Sequence, residues 1–334
     1  MLFACACERK RTFPQALWYS DAMVANTVNI PDKVRRSALA QGEKGRAWMA
    51  ALPQQIAAIE RAWNIRVGAT THNATEAYVA FAEAEEGAAV VKIVIPGFDA
   101  TRQEIRMLRA ADGRGYARLL RADENENVLL LERLGPQLFA LGLPNDTQIA
   151  HICATLDEAW QARPDGAFVT GADKAAELAA MIRDDWHGLG SPCAEATYEA
   201  SLAAAARRRQ AFDPAQAVFA HGDAHAWNTL QVAASPTGFK FVDPDGAFAE
   251  RAFDLAIPMR EWGSEIFTAD RLALGRHRCE LLARLTGVGA AAIWDWSLLQ
   301  CVSNSVSLQK LGLAGSARIG FAMADAWVAG GVFD

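Results

Sequence analysis

Two hydrophobic spacings alternate along the chain, and the switch between them divides it. Residues 32–40 and 43–63 carry apolar side chains every three or four positions, with Trp48, Leu52, Ile56, Ile59 and Trp63 in one stripe. That is the pattern of amphipathic helices. Pro53 falls inside the stripe; proline lacks an N–H and crowds the carbonyl four residues back, so two shorter helices are predicted there. From Ile65 the period shortens. Residues 65–69, 77–84 and 88–95 read as strands, joined by the loop 70–76 and the turn Glu85-Glu86-Gly87. Residues 101–110 return to helical spacing, and 116–123 and 127–131 read as two further strands about Glu124-Asn125-Glu126.

Beyond Gly135 the pattern is mostly helical. A helix capped by Asn145 or Asp146 is predicted to about Arg163, followed by helices over 172–186, 194–212, 270–285, 289–309 and 314–327. The exception is 218–246, VFAHGDAHAWNTLQVAASPTGFKFVDPDG. Here an apolar run, Val218-Phe219-Ala220, stops at His221-Gly222-Asp223, and a hairpin follows, turning at Ser235-Pro236-Thr237-Gly238 and ending on Asp243. Asp223, Asn228 and Asp243 therefore gather at one end of a hairpin. Two carboxylates and an amide are the hard oxygen donors that suit magnesium bound to phosphate.

Lys92 points to the same chemistry from another place. It lies inside the apolar run Ala89-Val90-Val91-Lys92-Ile93-Val94, where an unpaired ammonium is costly. Nucleotide phosphates and a carboxylate on the next helix, Glu104, are its expected partners. His221, Asp223 and Asn228 also stand at the offsets of a kinase catalytic loop, with Asp243 in the place of the metal-holding aspartate. The expected fold is α+β: a protein-kinase-like, two-lobed molecule with a small antiparallel sheet and a larger helical lobe. The nucleotide-binding lobe is expected over 23–134, and the catalytic and acceptor-binding lobe over 135–334.

The segments HGDAHAWN, FVDPDG, AERAFDLA and YARLLRADENENVLLLERLGP resemble the aminoglycoside phosphotransferase superfamily. The closer resemblance is to its aminoglycoside 6-phosphotransferase/hydroxyurea (streptomycin 6-kinase) branch, from about residue 45 onward. The resemblance implies an antibiotic-resistance kinase that uses ATP and Mg2+. Asp223 is then the catalytic base, and Asn228 and Asp243 are metal ligands. Lys92, paired with Glu104, steadies the α- and β-phosphates, while Leu131, Glu132 and Leu134 form the hinge that meets adenine. His225 stands where protein kinases carry a lysine beside the γ-phosphate, and His221 and Asp254 support the loop. Three departures stand out. The loop 70–75 is poor in glycine, Gly246 lies one place later than in Asp-Phe-Gly, which leaves Asp245 as a second possible metal ligand, and Trp227 is bulky where the superfamily often has a small residue.

Composition narrows the partners. The net charge is −6, and the basic cluster Arg207-Arg208-Arg209 reads as a solvated helix face. Nucleic acid is a poor partner, and a small cationic acceptor suits the balance. Asp184, Asp185, Asp245, Glu250, Glu261, Glu265 and Asp295 are the carboxylates available to such an acceptor; Trp262, Trp294 and Trp296 are the rings that would stack on it. The six cysteines form no paired motif, and Cys153, Cys279 and Cys301 read as buried thiols. No run is long enough to span a membrane, and the short apolar start precedes its basic cluster, the reverse of a secretory signal. A cytoplasmic monomer is expected, with 1–22 a disordered leader or a misassigned extension ahead of Met23. The alternatives are a kinase of a housekeeping amino sugar, amine or other metabolite, and a nucleotide-binding pseudokinase scaffold. The intact set of Lys92, Asp223, Asn228 and Asp243 counts against the scaffold.

Overall fold

A computed structural model describes residues 28–71, 74–97, 101–268 and 270–331. The leader at 1–22 and its two cysteines lie outside these, as do His72 and Asn73 of the first strand loop. The chain forms two compact units, one of residues up to 101 with 120–133, the other of 102–119 with 134 onward.

In the first unit, helix α1 (Asp32–Ala40) packs on α2 (Gly42–Trp63). Their backbones meet at Gly45, where a Cβ would lie 1.7 Å from the Ala38 carbonyl oxygen. Contrary to the sequence expectation, α2 runs through Pro53 unbroken. Proline costs a helix about 3 kcal/mol, whereas burying Trp48, Leu52, Ile56 and Ile59 on the opposite side returns roughly 1.5–3 kcal/mol each. Packing wins.

Those side chains cover a five-stranded sheet of order β1-β2-β3-β5-β4. Its strands are β1 (Arg66–Thr70), β2 (Ala77–Ala84), β3 (Gly87–Val94), β4 (Leu119–Asp123) and β5 (Val128–Glu132). Lys92 is paired with Val79 on one side and Leu129 on the other, so it sits in an interior strand. Val91 and Ile93 face the core, and the strand's alternation puts Lys92 on the opposite face. Strand β4 begins three residues later than predicted. Tyr116 instead bridges to Phe241 in the second unit's own sheet, with Phe241 N–H on the Gly115 carbonyl and Ala117 N–H on the Phe241 carbonyl, each at 2.8 Å. Gly115 makes this possible: at φ +67 its missing Cβ would lie 2.4 Å from Ala159 N.

The second unit is largely helical: α3 (Thr101–Ala111), α4 (Asn145–Ala159), α5 (Gly171–Trp186), α6 (Glu195–Ala211), α7 (Ala252–Met259), α8 (Gly263–Thr268), α9 (Arg271–Thr286), α10 (Ala290–Lys310) and α11 (Ala314–Ala329). Neither predicted residue caps α4, which starts directly after Pro144. Thr170 and Asp173 form a capping box on α5, and Asp270 caps α9 through Leu272 and Ala273. Helix α10 is buried on nearly every side, including Trp294 and Trp296, as expected of a helix apolar all round. Two short ribbons lie among the helices: β6 (Val218–Ala220) with β9 (Ala247–Ala249), and β7 (Thr229–Gln231) with β8 (Phe239–Phe241). Strand β9 has no counterpart in the sequence reading. Cys153, Cys279 and Cys301 are free buried thiols as expected, each pushed up to about 12 by burial.

Candidate active site

The loop after β6 is built around His221, which is fully buried between Tyr116, stacked at 5.7 Å, and the edge of Phe241 at 4.8 Å. Its Nδ1 accepts the Asp223 N–H at 3.1 Å, so Nε2 carries the proton it gives to the Val242 carbonyl at 3.0 Å. Its own carbonyl accepts Asp245 N–H at 2.8 Å and Gly246 N–H at 3.1 Å. One imidazole thus ties the catalytic loop to the segment after β8. Burial lowers its pKa against the pull of Asp254 and Asp223. Gly222 sits at φ +87, where a Cβ would press on Asp245 at 3.0 Å.

Asp254, on α7, braces the loop as expected. One oxygen accepts His221 N–H at 2.9 Å and Trp160 Nε1–H at 2.8 Å, and the other accepts Gly222 N–H at 2.7 Å.

Asp223 is only 3 % exposed. Its Oδ2 accepts Nε2–H of His225 at 2.9 Å and Nδ2–H of Asn228 at 3.1 Å. Burial by itself would raise its pKa; His225, through charge and hydrogen bond, then Arg260 and His221, overturn that and hold the carboxyl below its ordinary value. Both ring nitrogens of His225 are engaged within the loop. Nδ1 accepts the N–H groups of Trp227 and Asn228, each at 3.2 Å.

Asn228 and Asp243 flank one rung of the β7–β8 ribbon, since the Asn228 carbonyl accepts Val242 N–H at 3.0 Å. Asp243 adopts φ +57, a left-handed conformation that costs a non-glycine residue about 1–2 kcal/mol and collects at functional sites. With Asn228 Nδ2 spent on Asp223, its Oδ1 is the atom left for a cation. Asp243 is half-buried and Asp245 exposed. Among the described residues no three His, Cys, Asp or Glu side chains stand close enough to hold a metal alone. Magnesium needs only one or two protein oxygens beside phosphate and water, so the donor set fits it.

Trp227 is half-buried and stacks on Phe139 at 4.2 Å, while Gln137 Nε2 donates to its carbonyl at 2.9 Å. Trp262, Trp294 and Trp296, by contrast, are buried, so none of the three is placed to stack on an acceptor. Most of the candidate carboxylates are already committed. Asp295 meets Arg207 at 2.5 Å and Arg208 at 3.1 Å, which also shows that this basic cluster is partly a structural clamp and not only a solvated face. Glu250 accepts Trp296 Nε1–H at 2.8 Å, Asp185 meets Lys310 at 2.8 Å, and Glu265 meets Arg278 at 2.5 Å. Glu261 stands apart. It is 7 % exposed, and burial raises its pKa against the pull of His225 and Arg260, with Asp223 close enough to push it further up.

Two arginines without a motif shape this corner. Arg278, buried in α9, donates to the carbonyls of Met259 and Glu261 at 3.0 Å and lies over the Trp262 ring at 5.1 Å. Trp262 is itself held at φ +57. Arg260 adjoins Asp223, His225 and Glu261. A lone arginine in a helical sequence carries no signal for such roles. Of the remaining predicted residues, Lys92, Leu131 and Glu132 lie in the first unit, and Leu134 and Glu104, buried on α3, lie in the second.

The fold is shared with solved kinases. The chain superposes on the aminoglycoside phosphotransferase APH(4)-Ia, in ternary complex with ADP and hygromycin B, with a TM-score of 0.59 at 14% identity, covering 84% of this chain and 99% of that one. A choline kinase from Streptococcus pneumoniae gives 0.57 at 14% identity over 84% and 99%. These likenesses establish a protein-kinase-like fold. Sequence narrows it further: the chain belongs to the aminoglycoside/hydroxyurea antibiotic resistance kinase family, whose model matches residues 63–312. It is 27% identical over 305 residues to streptomycin 6-kinase of Streptomyces griseus, covering 90% of this chain and 97% of that protein. A hydroxyurea phosphotransferase of Kitasatospora aureofaciens is 34% identical over 113 residues, a third of each chain. The chain is thus a kinase, a phosphotransferase with a hydroxyl acceptor. Among the described residues no helix is long and apolar enough to cross a membrane.

Proposed function

We propose that this kinase transfers the γ-phosphate of ATP to a hydroxyl of a streptomycin-like aminoglycoside, and that the modification confers resistance. The observation that carries it is the catalytic loop: a buried Asp223 held by two N–H donors, next to the Asn228–Asp243 rung. Similarity to streptomycin 6-kinases along 84% and 90% of the chain supports the acceptor. Relatives of the same fold solved with ADP or AMP-PNP support the nucleotide.

In this reading Lys92 steadies the α- and β-phosphates with Glu104 as its partner, and the backbone at Leu131, Glu132 and Leu134 meets the adenine edge. Asn228 and Asp243 hold Mg2+, which when bound neutralises charge on the phosphates. Asp223 orients the acceptor hydroxyl and takes up its proton. Its depressed pKa keeps it ionised at neutral pH, and burial among fixed donors favours positioning over solvent reorganisation. The chain acts as a cytoplasmic monomer. A cationic acceptor is supported by Glu261, a buried carboxylate beside Asp223, while Glu250, Glu265 and Asp295 already have partners.

Incubation with ATP and, separately, streptomycin, hydroxyurea or choline tests the reading by mass. Streptomycin is expected to gain one phosphoryl group; modification of hydroxyurea or choline alone would overturn the acceptor class. Glu261→Gln is expected to raise KM for streptomycin about 10–100-fold, the loss of one charge-assisted hydrogen bond, with KM for ATP unchanged.

A further inference from the structure

Asp223 offers two oxygens, and the loop fills one. Oδ2 takes both side-chain donors, His225 at 2.9 Å and Asn228 at 3.1 Å, while no hydrogen bond from the described residues reaches Oδ1. A carboxylate's last torsion is broad and two-fold, so without a fixed donor either oxygen would face the reaction.

We propose that His225 is a positioning residue whose Nε2–H occupies Oδ2 of Asp223 and so presents Oδ1 to the acceptor hydroxyl. This rests on Asp223 being the base, as proposed above. The imidazole is fixed in turn. Nδ1 accepts Trp227 and Asn228 N–H at 3.2 Å, so a ring flip would turn a C–H toward both. The His225 carbonyl accepts Thr229 Oγ1–H at 2.9 Å and Asn228 N–H at 3.0 Å, which holds the backbone beneath the ring. His225 is also 4 % exposed, so water does not compete for Nε2. In the transfer step the acceptor oxygen bonds to the γ-phosphorus and the bridging bond to ADP breaks. The hydroxyl proton passes to Oδ1 and from there to solvent, and His225 keeps its own proton throughout. Among the described residues, His221, Arg260 and Glu261 are titratable or charged groups beside this pair.

The test compares His225→Ala and His225→Met, which lack an N–H donor, with His225→Gln, which keeps one. Met holds the side-chain volume should Ala fail to fold. The donorless variants are expected to lose about 10–100-fold in kcat and keep both KM values. Gln is expected to restore most of the rate. Gln no better than Met would overturn the positioning role. A raised KM for ATP at full kcat would also overturn it and point to a phosphate contact. Full turnover by Asp223→Asn would instead remove the base itself.

Discussion

A carboxylate that is to accept a proton must be buried enough to be positioned yet ionised when the substrate arrives. At Asp223 burial and ionisation pull in opposite directions, and His225 with Arg260 decides the outcome. The sign follows directly: the folded pKa lies below the ordinary carboxylate value, so the base stays charged, and its contribution to rate and stability holds, until pH falls through that lowered value. Between pH 5 and 8 Asp223 is therefore expected to add no acid limb to the wild-type kcat profile, and a limb that disappears with Asp223→Asn or Asp223→Glu would contradict this. Asp254 gives a second residue-level prediction. Its two oxygens accept three N–H groups, two of them in fully buried bonds, and an amide can serve only one side. Asp254→Asn is expected to cost about 1–3 kcal/mol by chemical denaturation and to lower kcat with it. What the sequence made legible at this scale was identity: Asp223, Asn228 and Asp243 stand at kinase offsets. It left orientation unread. Spacing places His225 two residues from the base but carries nothing about the direction of its ring, and nothing in Asp-Pro-Asp-Gly reveals that Asp243 is the residue held at positive φ.

At the scale of elements, periodicity gave the helices because each has a long stripe to read, and it failed where short-range rules met long-range packing. Pro53 is the clearest case. It is exposed, with its helix buried on the other side; restoring the N–H in Pro53→Ala is expected to stabilise the fold by about 2 kcal/mol. That is the ~3 kcal/mol helix penalty less the ~1 kcal/mol that proline saves by restricting the unfolded chain. A rise in Tm checks it; a fall would mean that Met49 has no carbonyl to give. Strand β9 escaped notice because three residues are too few to show a period, and it exists only through its pairing with β6. Tyr116 likewise reads as strand, but Gly115 lets the chain turn toward Phe241.

For the whole molecule, the chain divides into two units after Arg133, and the segment 102–119 groups with the helical unit. The contacts that hold the helical unit together join residues far apart in the chain: Arg207 and Asp295 lie 88 positions apart, Trp160 and Asp254 94. Single-sequence spacing cannot see such pairs, which is why the committed carboxylates were indistinguishable from Glu261 beforehand. Ligand linkage is the global readout. Mg2+ with ATP at a hundred times Kd is expected to stabilise the fold by about 2.7 kcal/mol. Chelation by EDTA should remove most of this in the wild type and little in Asp243→Asn.

The most direct test of the phosphotransfer centre is Asp223→Asn assayed with ATP and streptomycin. A fall in kcat of about 10²–10⁴-fold with the Kd for ATP unchanged is the result expected of a base at that position; a kcat near that of the wild type would contradict it.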